Sequence, residues 1–233
     1  MLFKAKLIKL MQREIITTKD NSKTLLIPSM NETYHSTHGA LTEALHIFIN
    51  NGIGQFKNTN KNINIFEMGF GTGLNAILTY QFAKKHQLKV NYTTIEKYPV
   101  TPEEMKILDY QSLLNLTKTE QDALTKMHQS NNNSISISNN FTFQLFIDDI
   151  NHLSLKNNFF NLIYFDAFAP SHQPSLWQKN ILLKMYQALK PNDFLITYCA
   201  QGQFKRDLKA VGFNVINLPG PPGKREITKA VKN

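Results

Sequence analysis

The chain has 233 residues, which is enough for one domain and too short for two full enzyme domains. Its hydrophobic fraction of 42% suits one core of ordinary size. No apolar run approaches the roughly 20 residues of a membrane-spanning helix, and the lone cysteine, Cys199, excludes an internal disulfide and a multi-cysteine zinc site. The formal net charge of +9 suits a polyanionic partner, although lysine and asparagine are over-used along the whole chain and explain that charge equally well.

The first 16 residues are apolar and basic, which raises the possibility of a signal peptide. Lys4, Lys6 and Lys9 interrupt this segment, and no small-residue cleavage site follows it. We therefore interpret the segment as part of the fold. A protein of the cytoplasm, without a membrane partner, is the expectation.

The next residues predict a β-hairpin followed by a helix. Residues 13–18 and 24–27 have strand-like patterns, and residues 19–23 between them have the composition of a turn. The helix is expected over 42–50. We expect residues 1–50 to form an extension that packs on a main domain of residues 51–233.

From residue 62 onward, short apolar runs alternate with helical patterns. The runs cover 63–67, 90–96, 143–147, 162–166 and 194–198, and the helical patterns cover 74–86, 102–128, 175–189 and 203–210. Such alternation predicts an α/β fold, with a mostly parallel sheet and helices on both faces. A small additional strand is expected over 135–138, and a closing antiparallel hairpin over 215–218 and 227–231.

A glycine-rich loop follows the first of these strands and opens a helix. Gly69, Gly71 and Gly73 have the spacing G-x-G-x-G, whereas a dinucleotide-binding loop has G-x-G-x-x-G and a phosphate-binding loop has a lysine. Glycines allow the backbone to turn sharply and to approach a ligand. Glu67, just before the loop, would repel a pyrophosphate but attract the ammonium group of S-adenosylmethionine. A turn that serves only packing is the alternative.

Further acidic residues end the strands that follow. Glu96 ends the second strand, where a carboxylate can accept both ribose hydroxyls of a nucleoside. Asp148 and Asp149 follow the third strand, and Asp166 ends the fourth. Ligands of such folds bind outside the carboxyl ends of the strands, so these acids predict a single ligand site. Solvated strand-end charges are the plainer interpretation.

Four motifs extend this pattern over nearly the whole chain. They are Y-x-S-x-x-G-A-x-x-E at Tyr34, Ser36, Gly39, Ala40 and Glu43; E-x-G-F-G-T-G-L-N from Glu67 to Asn75; D-A-F-A-P…P-x-x-W at Asp166 to Pro170, Pro174 and Trp177; and G-K-R-E from Gly223 to Glu226. Together they resemble the motifs of the tRNA 5-methylaminomethyl-2-thiouridine methyltransferase family, which is equivalent to the methyltransferase domain of bifunctional MnmC. Gln173 and the segment 198–202 depart from the family's usual residues.

The resemblance implies a Rossmann-like class I methyltransferase that uses S-adenosylmethionine. It would methylate the aminomethyl nitrogen of 5-aminomethyl-(2-thio)uridine at the wobble position of tRNA, without a fused flavin oxidase domain. The implied catalytic residue is Asp166, either as a base or only as a positioning group. The implied cofactor-binding residues are Glu67, Gly69, Gly71, Gly73, Asn75, Glu96 and Asp148. The implied substrate-binding residues are Glu43, Phe168, Pro170, His172, Lys224 and Arg225.

Several alternatives remain at this stage. The acceptor could be a small-molecule amine, or the chain could be a non-catalytic RNA-binding protein on a nucleotide-binding fold. A dehydrogenase is disfavoured by the glycine spacing. His35 and His38 lack the H-E-x-x-H arrangement of a zinc site, so no metal is expected. Trp177 is interpreted as a core residue rather than a base-stacking platform.

Overall fold

The computed structural model describes residues 12–233, so the expectation for the first residues, including Lys4, Lys6 and Lys9, lies outside the described part. The described chain starts with a three-stranded antiparallel sheet. Its strands are β1 (Glu14–Thr17), β2 (Lys23–Ile27) and β3 (Glu32–Thr33). The predicted hairpin is therefore confirmed, with a third short strand added after it.

A helix follows this small sheet, as predicted, but it starts earlier and changes its winding. Helix α1 (Ala40–Ala44) continues as a π-helical segment, Leu45–Asn50, and a 3₁₀ turn follows at Ile53–Phe56. Asp20 in the hairpin turn accepts hydrogen bonds from the backbone N–H and the hydroxyl of Thr42, both at 2.9 Å. This contact ties the start of the helix to the hairpin.

The centre of the molecule is an eight-stranded sheet with the order β10-β11-β9-β8-β4-β5-β7-β6. Its strands are β4 (Asn62–Met68), β5 (Lys89–Ile95), β6 (Ser134–Ser138), β7 (Phe141–Phe146), β8 (Phe160–Phe165), β9 (Leu189–Thr197), β10 (Phe213–Pro219) and β11 (Glu226–Lys232). Strands β4, β5, β7, β8 and β9 are parallel, whereas β6 and β11 run antiparallel to their neighbours. The predicted sheet, its small extra strand and its closing hairpin are all confirmed.

Helices cover both faces of this sheet. They are α2 (Leu74–His86), α3 (Pro102–Leu108), α4 (Tyr110–Leu113), α5 (Lys118–Gln129), α6 (Lys179–Ala188) and α7 (Gly202–Ala210). Alternate residues of β4 join separate cores, because side chains of a strand point to opposite faces. Ile63 and Ile65 pack with residues of α1, α2 and α5, whereas Phe66 and Met68 pack with residues of α6 and α7.

Two predicted helices are wrong in their extent. The segment 102–128 is three helices, because Asp109 and Asn115 adopt left-handed conformations with φ of 51° and 49°. Thr117 then opens α5 with a capping box, in which its side chain and that of Glu120 satisfy each other's backbone N–H groups. Apolar periodicity continues across such breaks and therefore does not reveal them.

The second correction concerns the segment 175–189. It contains a 3₁₀ turn at Pro174–Trp177 and then α6, and Leu189 already belongs to β9, which was predicted to begin at 194. Trp177 is buried in the core below β8, as predicted. No helix among residues 12–233 is both long and apolar enough to cross a membrane.

Candidate active site

A cavity of about 390 Å³ opens at the carboxyl ends of β4, β5, β7 and β8, a volume within the usual range for small-ligand pockets. Strand β4 lies between β5 and β8, so the strands that follow it in sequence lie on both sides of it. Open α/β sheets bind ligands at such a point, where the strand order reverses. The predicted site residues on the cavity wall are Glu43, Gly69, Gly71, Asn75, Glu96, Asp148, Asp166, Phe168 and Lys224.

The glycine loop brings three strand ends into contact. Gly69 has φ of 92°, and a Cβ atom there would lie 2.8 Å from the carbonyl oxygen of Asp166. Gly71 has φ of 53°, and a Cβ atom there would lie 3.2 Å from the ring of Tyr34. Only glycine accommodates both the positive φ and the close approach at Gly69. The loop therefore follows the ends of β4 and β8 without side chains in the way.

Glu96 is held rigidly beside this loop. One carboxylate oxygen accepts a hydrogen bond from the N–H of Gly71 at 3.0 Å, and the other accepts one from the N–H of Tyr98 at 2.7 Å. A carboxylate has about four acceptor positions, so each oxygen retains capacity for a ligand hydroxyl. The side chain is half-buried on the cavity wall, which makes it a pre-oriented acceptor.

Asp166 lies directly after β8, with one oxygen 2.8 Å from the donating Nδ2 of Asn75. Burial, together with the negative charge of Glu43, raises the pKa of Asp166 to about 7, against the lowering influence of Asn75 and Lys224. The carboxyl group therefore exchanges a proton near neutral pH, which an ordinary aspartate does not do.

An ion pair and an aromatic ring complete this end of the cavity. The carboxylate of Glu43 pairs with the ammonium of Lys224, and that ammonium lies 4.5 Å from the centre of the Tyr198 ring. The Tyr198 hydroxyl donates to the carbonyl of Ala167 at 2.8 Å. Charged and aromatic groups from three distant parts of the chain thus surround Asp166.

The N-terminal sheet supplies one wall of the cavity, which the residue patterns alone did not predict. Tyr34 packs edge-on against Phe168, with 4.9 Å between ring centres. Arg13 donates to the Tyr34 hydroxyl at 2.9 Å and forms an ion pair with Glu104 at 2.8 Å. The sequence signal for this wall was the first motif, which contains both Tyr34 and Ser36.

Glu67, which was expected to contact the cofactor, lies away from the cavity in this structure, and its role stays a prediction. Its side chain is fully buried and does not lie on the cavity wall. Strand alternation places it on the same face as Ile63 and Ile65, underneath α2. Gly73 also lies off the wall. It is the N-cap of α2 with φ of 78°, and a Cβ atom there would lie 2.9 Å from the ring of His128.

Three predicted substrate-binding residues also lie off the cavity wall. His172 forms an ion pair with Glu32 at 2.8 Å, which directs it to the neighbouring β3. Pro170 is half-buried behind Phe168, and Arg225 is exposed on the turn beyond Lys224. The loop after β8 turns back at Ala169, whose carbonyl accepts from the N–H of His172 at 2.8 Å.

The acids after β7 separate into two environments. Asp148 is exposed and lies 2.9 Å from the ring of His152. Asp149 is half-buried and pairs with Lys97 at 2.8 Å, and hydrogen bonds from Lys97 and Asn151 lower its pKa to about 2. Both acids border the cavity, and Asp149 is the more rigidly held of the two.

His35 is a half-buried side chain that lies between two threonine hydroxyls. Its Nδ1 lies 2.9 Å from the hydroxyl of Thr24 and its Nε2 lies 3.4 Å from that of Thr72. Burial lowers its pKa to about 4. Across the described residues, 12–233, no group of three or more His, Cys, Asp or Glu side chains is placed to hold a metal ion.

Comparison with known proteins defines the class of this site. Residues 95–233 match the family described as S-adenosyl-L-methionine-dependent methyltransferase. The chain belongs to that family, and S-adenosylmethionine is therefore its cofactor.

The chain is also similar to individual named proteins. The chain is similar to the tRNA 5-methylaminomethyl-2-thiouridine biosynthesis bifunctional protein MnmC of Cupriavidus metallidurans, at 29% identity over 90% of this chain and 33% of that protein. It is 27% identical to the protein of the same name from Leptospira interrogans, over 90% of this chain and 34% of that protein. The chain thus spans about a third of the length of these relatives.

Two solved structures share the fold over 95% of this chain. One is MnmC2 of Aquifex aeolicus, with a TM-score of 0.75, 21% identity and 70% of that chain covered. The other is spermidine synthase of Thermotoga maritima, with a TM-score of 0.57, 14% identity and 69% of that chain covered. At these identities the likeness is one of fold.

Proposed function

We propose that this methyltransferase acts on the aminomethyl nitrogen of 5-aminomethyl-(2-thio)uridine at the wobble position of tRNA. The position of Asp166 carries this proposal: its pKa is about 7, and it lies on a cavity wall shared with Glu43, Phe168 and Tyr198. An acidic and aromatic cavity suits an amine attached to a flat base. The names of the MnmC relatives support the same substrate.

The wall residues at the other end of the cavity suit the cofactor. Gly69 and Gly71 leave space that a Cβ atom would fill, and Glu96 is an oriented acceptor for ribose hydroxyls. We assign Asn75 and Asp148 to the same region. The bound cofactor supplies an electrophilic methyl group on a sulfonium, so the chain's own task is to orient the acceptor amine and to remove its proton.

The proton is the main chemical difficulty. An alkylamine resembles lysine, with a pKa of about 10.4, so roughly one molecule in 10³ or fewer is neutral at pH 7. Only the neutral amine has the lone pair that attacks a methyl group. Asp166 accepts a hydrogen bond from the amine and, with its raised pKa, is able to accept the proton as well. Lys224 nearby disfavours a second cation and therefore lowers the pKa of a bound amine.

Recognition of tRNA is assigned to the basic surface around the cavity. Arg225 is exposed on the turn that also carries Lys224, so it is available to a phosphate outside the cavity. The net charge of +9 favours a polyanionic partner in the same way.

Transfer of a tritiated methyl group from S-adenosylmethionine tests this proposal. The acceptor is bulk tRNA from a strain that makes the aminomethyl group but does not methylate it, and tRNA in which that group is already methylated is the control. We expect label only in the unmethylated tRNA, at the wobble uridine after digestion to nucleosides. Label in free polyamines but not in tRNA would instead identify a small-molecule amine as the substrate. An absence of transfer to either acceptor, with the cofactor bound, would favour a binding protein.

A further inference from the structure

Four buried polar atoms beneath the glycine loop have no hydrogen-bond partner among residues 12–233. They are both carboxylate oxygens of Glu67, Oδ1 of Asn75 and the hydroxyl of Tyr92. Glu67 is fully buried, and the other two residues are at most 4% exposed. Buried polar groups are nearly always paired, so a cluster of unpaired atoms in one place indicates a single common cause.

A proton on Glu67 would give this cluster the donor that it lacks. An ionised carboxylate and an amide oxygen only accept hydrogen bonds, so Glu67 and Oδ1 of Asn75 cannot satisfy each other. Tyr92 and Asn75 are polar neighbours of the Glu67 side chain. One proton on Glu67 creates a donor to Oδ1 of Asn75 and leaves a carbonyl oxygen that accepts from the Tyr92 hydroxyl. All four atoms are then paired.

We propose that Glu67 is a neutral carboxylic acid in this enzyme and is a positioning residue that orients the amide of Asn75 and, through it, Asp166. The Asn75 amide has two unlike ends. Its nitrogen donates to Asp166 at 2.8 Å, and its oxygen is buried without a partner among residues 12–233. An ionised Glu67 would attract the nitrogen instead, which would turn the amide oxygen toward the carboxylate of Asp166.

The surroundings of Glu67 favour its neutral form. Burial, reinforced by the negative charge of Asp166, raises the pKa of Glu67 well above its ordinary value, and the nearby polar groups of Thr94, Tyr92 and Asn75 oppose this only in part. The titratable groups that face it are Tyr92 from β5 and Tyr164 and Asp166 from β8. Helix α2 contributes the uncharged Asn75. All three titratable neighbours are acids, and none becomes a cation that would stabilise an ionised Glu67.

The pH dependence of unfolding tests the protonation, independently of any activity. Glu67→Gln has the shape of the neutral acid, its amide donating to Asn75 and its carbonyl accepting from Tyr92, but it has no proton to release. Native Glu67 retains a proton that the unfolded chain releases above about pH 5. The unfolding constant of the wild type should therefore rise relative to that of Glu67→Gln by up to about tenfold per pH unit from about pH 5 upward, until the native group also ionises. A ratio that does not change with pH would overturn the proposal.

Single-turnover methyl transfer tests the positioning role, which rests on the proposed function of Asp166. Glu67→Leu removes the donor to Asn75, and we expect at least a tenfold slower transfer with an altered pH midpoint. Glu67→Gln should restore both. Equal damage in the two variants would overturn the positioning role even where the unfolding data agree with a neutral Glu67.

A measurement of cofactor binding tests the remaining alternative, in which Glu67 is an ionised cofactor ligand. If Glu67→Gln binds S-adenosylmethionine more than tenfold more weakly and the unfolding ratio is flat, Glu67 is an ionised cofactor ligand and our proposal is wrong. Failure of the proposed function has a different signature, because it would appear as full activity of Asp166→Ala and would leave the unfolding comparison unaffected.

Discussion

At the scale of single residues, the site places carboxyl groups of one chemical type in different environments. Glu96 is fixed by two backbone N–H groups, which donate to its two carboxylate oxygens. Asp166 is half-buried near a second acid, and its pKa is raised to about 7. The first arrangement suits a permanent hydrogen-bond acceptor, and the second suits a group that gains and loses a proton. The surroundings of each carboxyl group, rather than its residue type, therefore determine which of these tasks it suits.

The raised pKa of Asp166 predicts how methyl transfer depends on pH. A protonated Asp166 cannot accept the amine's proton, so the single-turnover rate should rise as pH passes through about 7 and flatten above it. Asp166→Asn retains a hydrogen-bond acceptor but takes no proton, so it should lose roughly 10²–10⁴-fold in rate together with the midpoint near 7. A mild loss with the same pH profile would mean that Asp166 only positions the amine.

The fixed geometry of Glu96 predicts a large effect on cofactor affinity. Loss of a charged acceptor should cost about 1.5–3 kcal/mol, which corresponds to roughly 10- to 150-fold weaker binding of S-adenosylmethionine to Glu96→Ala, measured by calorimetry. Asp122→Ala is a suitable control, because it removes an exposed carboxylate on α5. Equal affinity of Glu96→Ala and the wild type would show that the ribose is held elsewhere.

At the scale of elements, the glycine loop works because it joins strands that are distant in sequence. Its backbone N–H groups at Gly69 and Phe70 both donate to the carbonyl of Ile95 at the end of β5, at 3.2 and 3.1 Å. Gly69 also lies against the backbone of Asp166. The loop therefore connects the end of β5, next to Glu96, with the end of β8, next to Asp166.

This connection predicts that Gly69→Ala affects both stability and catalysis. The variant combines a positive φ with a Cβ atom 2.8 Å from a backbone oxygen, so it should unfold in urea with a loss of more than about 1 kcal/mol. It should also displace Asp166. Gly202→Ala is the matched control. That Cβ atom would lie 3.4 Å from the flexible end of Arg206 in helix α7, and it should be neutral or stabilise by up to about 1 kcal/mol. Equal effects of the two substitutions would contradict this account.

At the scale of the whole molecule, the N-terminal sheet and helix share a core with the main sheet. Leu25, Ala40 and Ile47 pack in one cluster with Ile63 and Tyr164, and Tyr34 and Arg13 close the cavity from the same side. The division at residue 50 into an extension and a main domain stays a prediction. In the folded chain both parts contribute to the wall around Asp166.

The overall charge predicts a steep salt dependence of tRNA binding. If about five phosphates are contacted, raising salt from about 50 to 200 mM should weaken binding roughly 10²-fold. Arg225→Ala should lower the slope by about one. Lys85→Ala is the control, since Lys85 lies in the last turn of α2, and the cavity is at the first turn of that helix. We expect Lys224→Ala to slow transfer more than it weakens binding, because its ammonium is engaged with Glu43. A flat salt response would argue against tRNA.

Much of the architecture followed from patterns that lie within short segments. The alternation of apolar runs and helical periods predicted the sheet, and α2 runs over 74–86 as expected. The acids at successive strand ends predicted one ligand site, because parallel strands end at one edge. The motif resemblance predicted the methyltransferase family. Each of these inferences uses covalent order and local geometry, which the amino-acid sequence determined by itself.

Only the tertiary structure decided where the predicted site residues lie relative to the cavity. Glu67 and Asp166 are both acids at strand ends, yet one lies underneath α2 and the other lies on the cavity wall. Lys224 pairs with Glu43, which is 181 positions away in the sequence, and Tyr34 lies at the end of a separate sheet. Burial, ion pairing and the resulting pKa values depend on contacts between segments that are distant in sequence. Local periodicity does not indicate which of these segments come into contact.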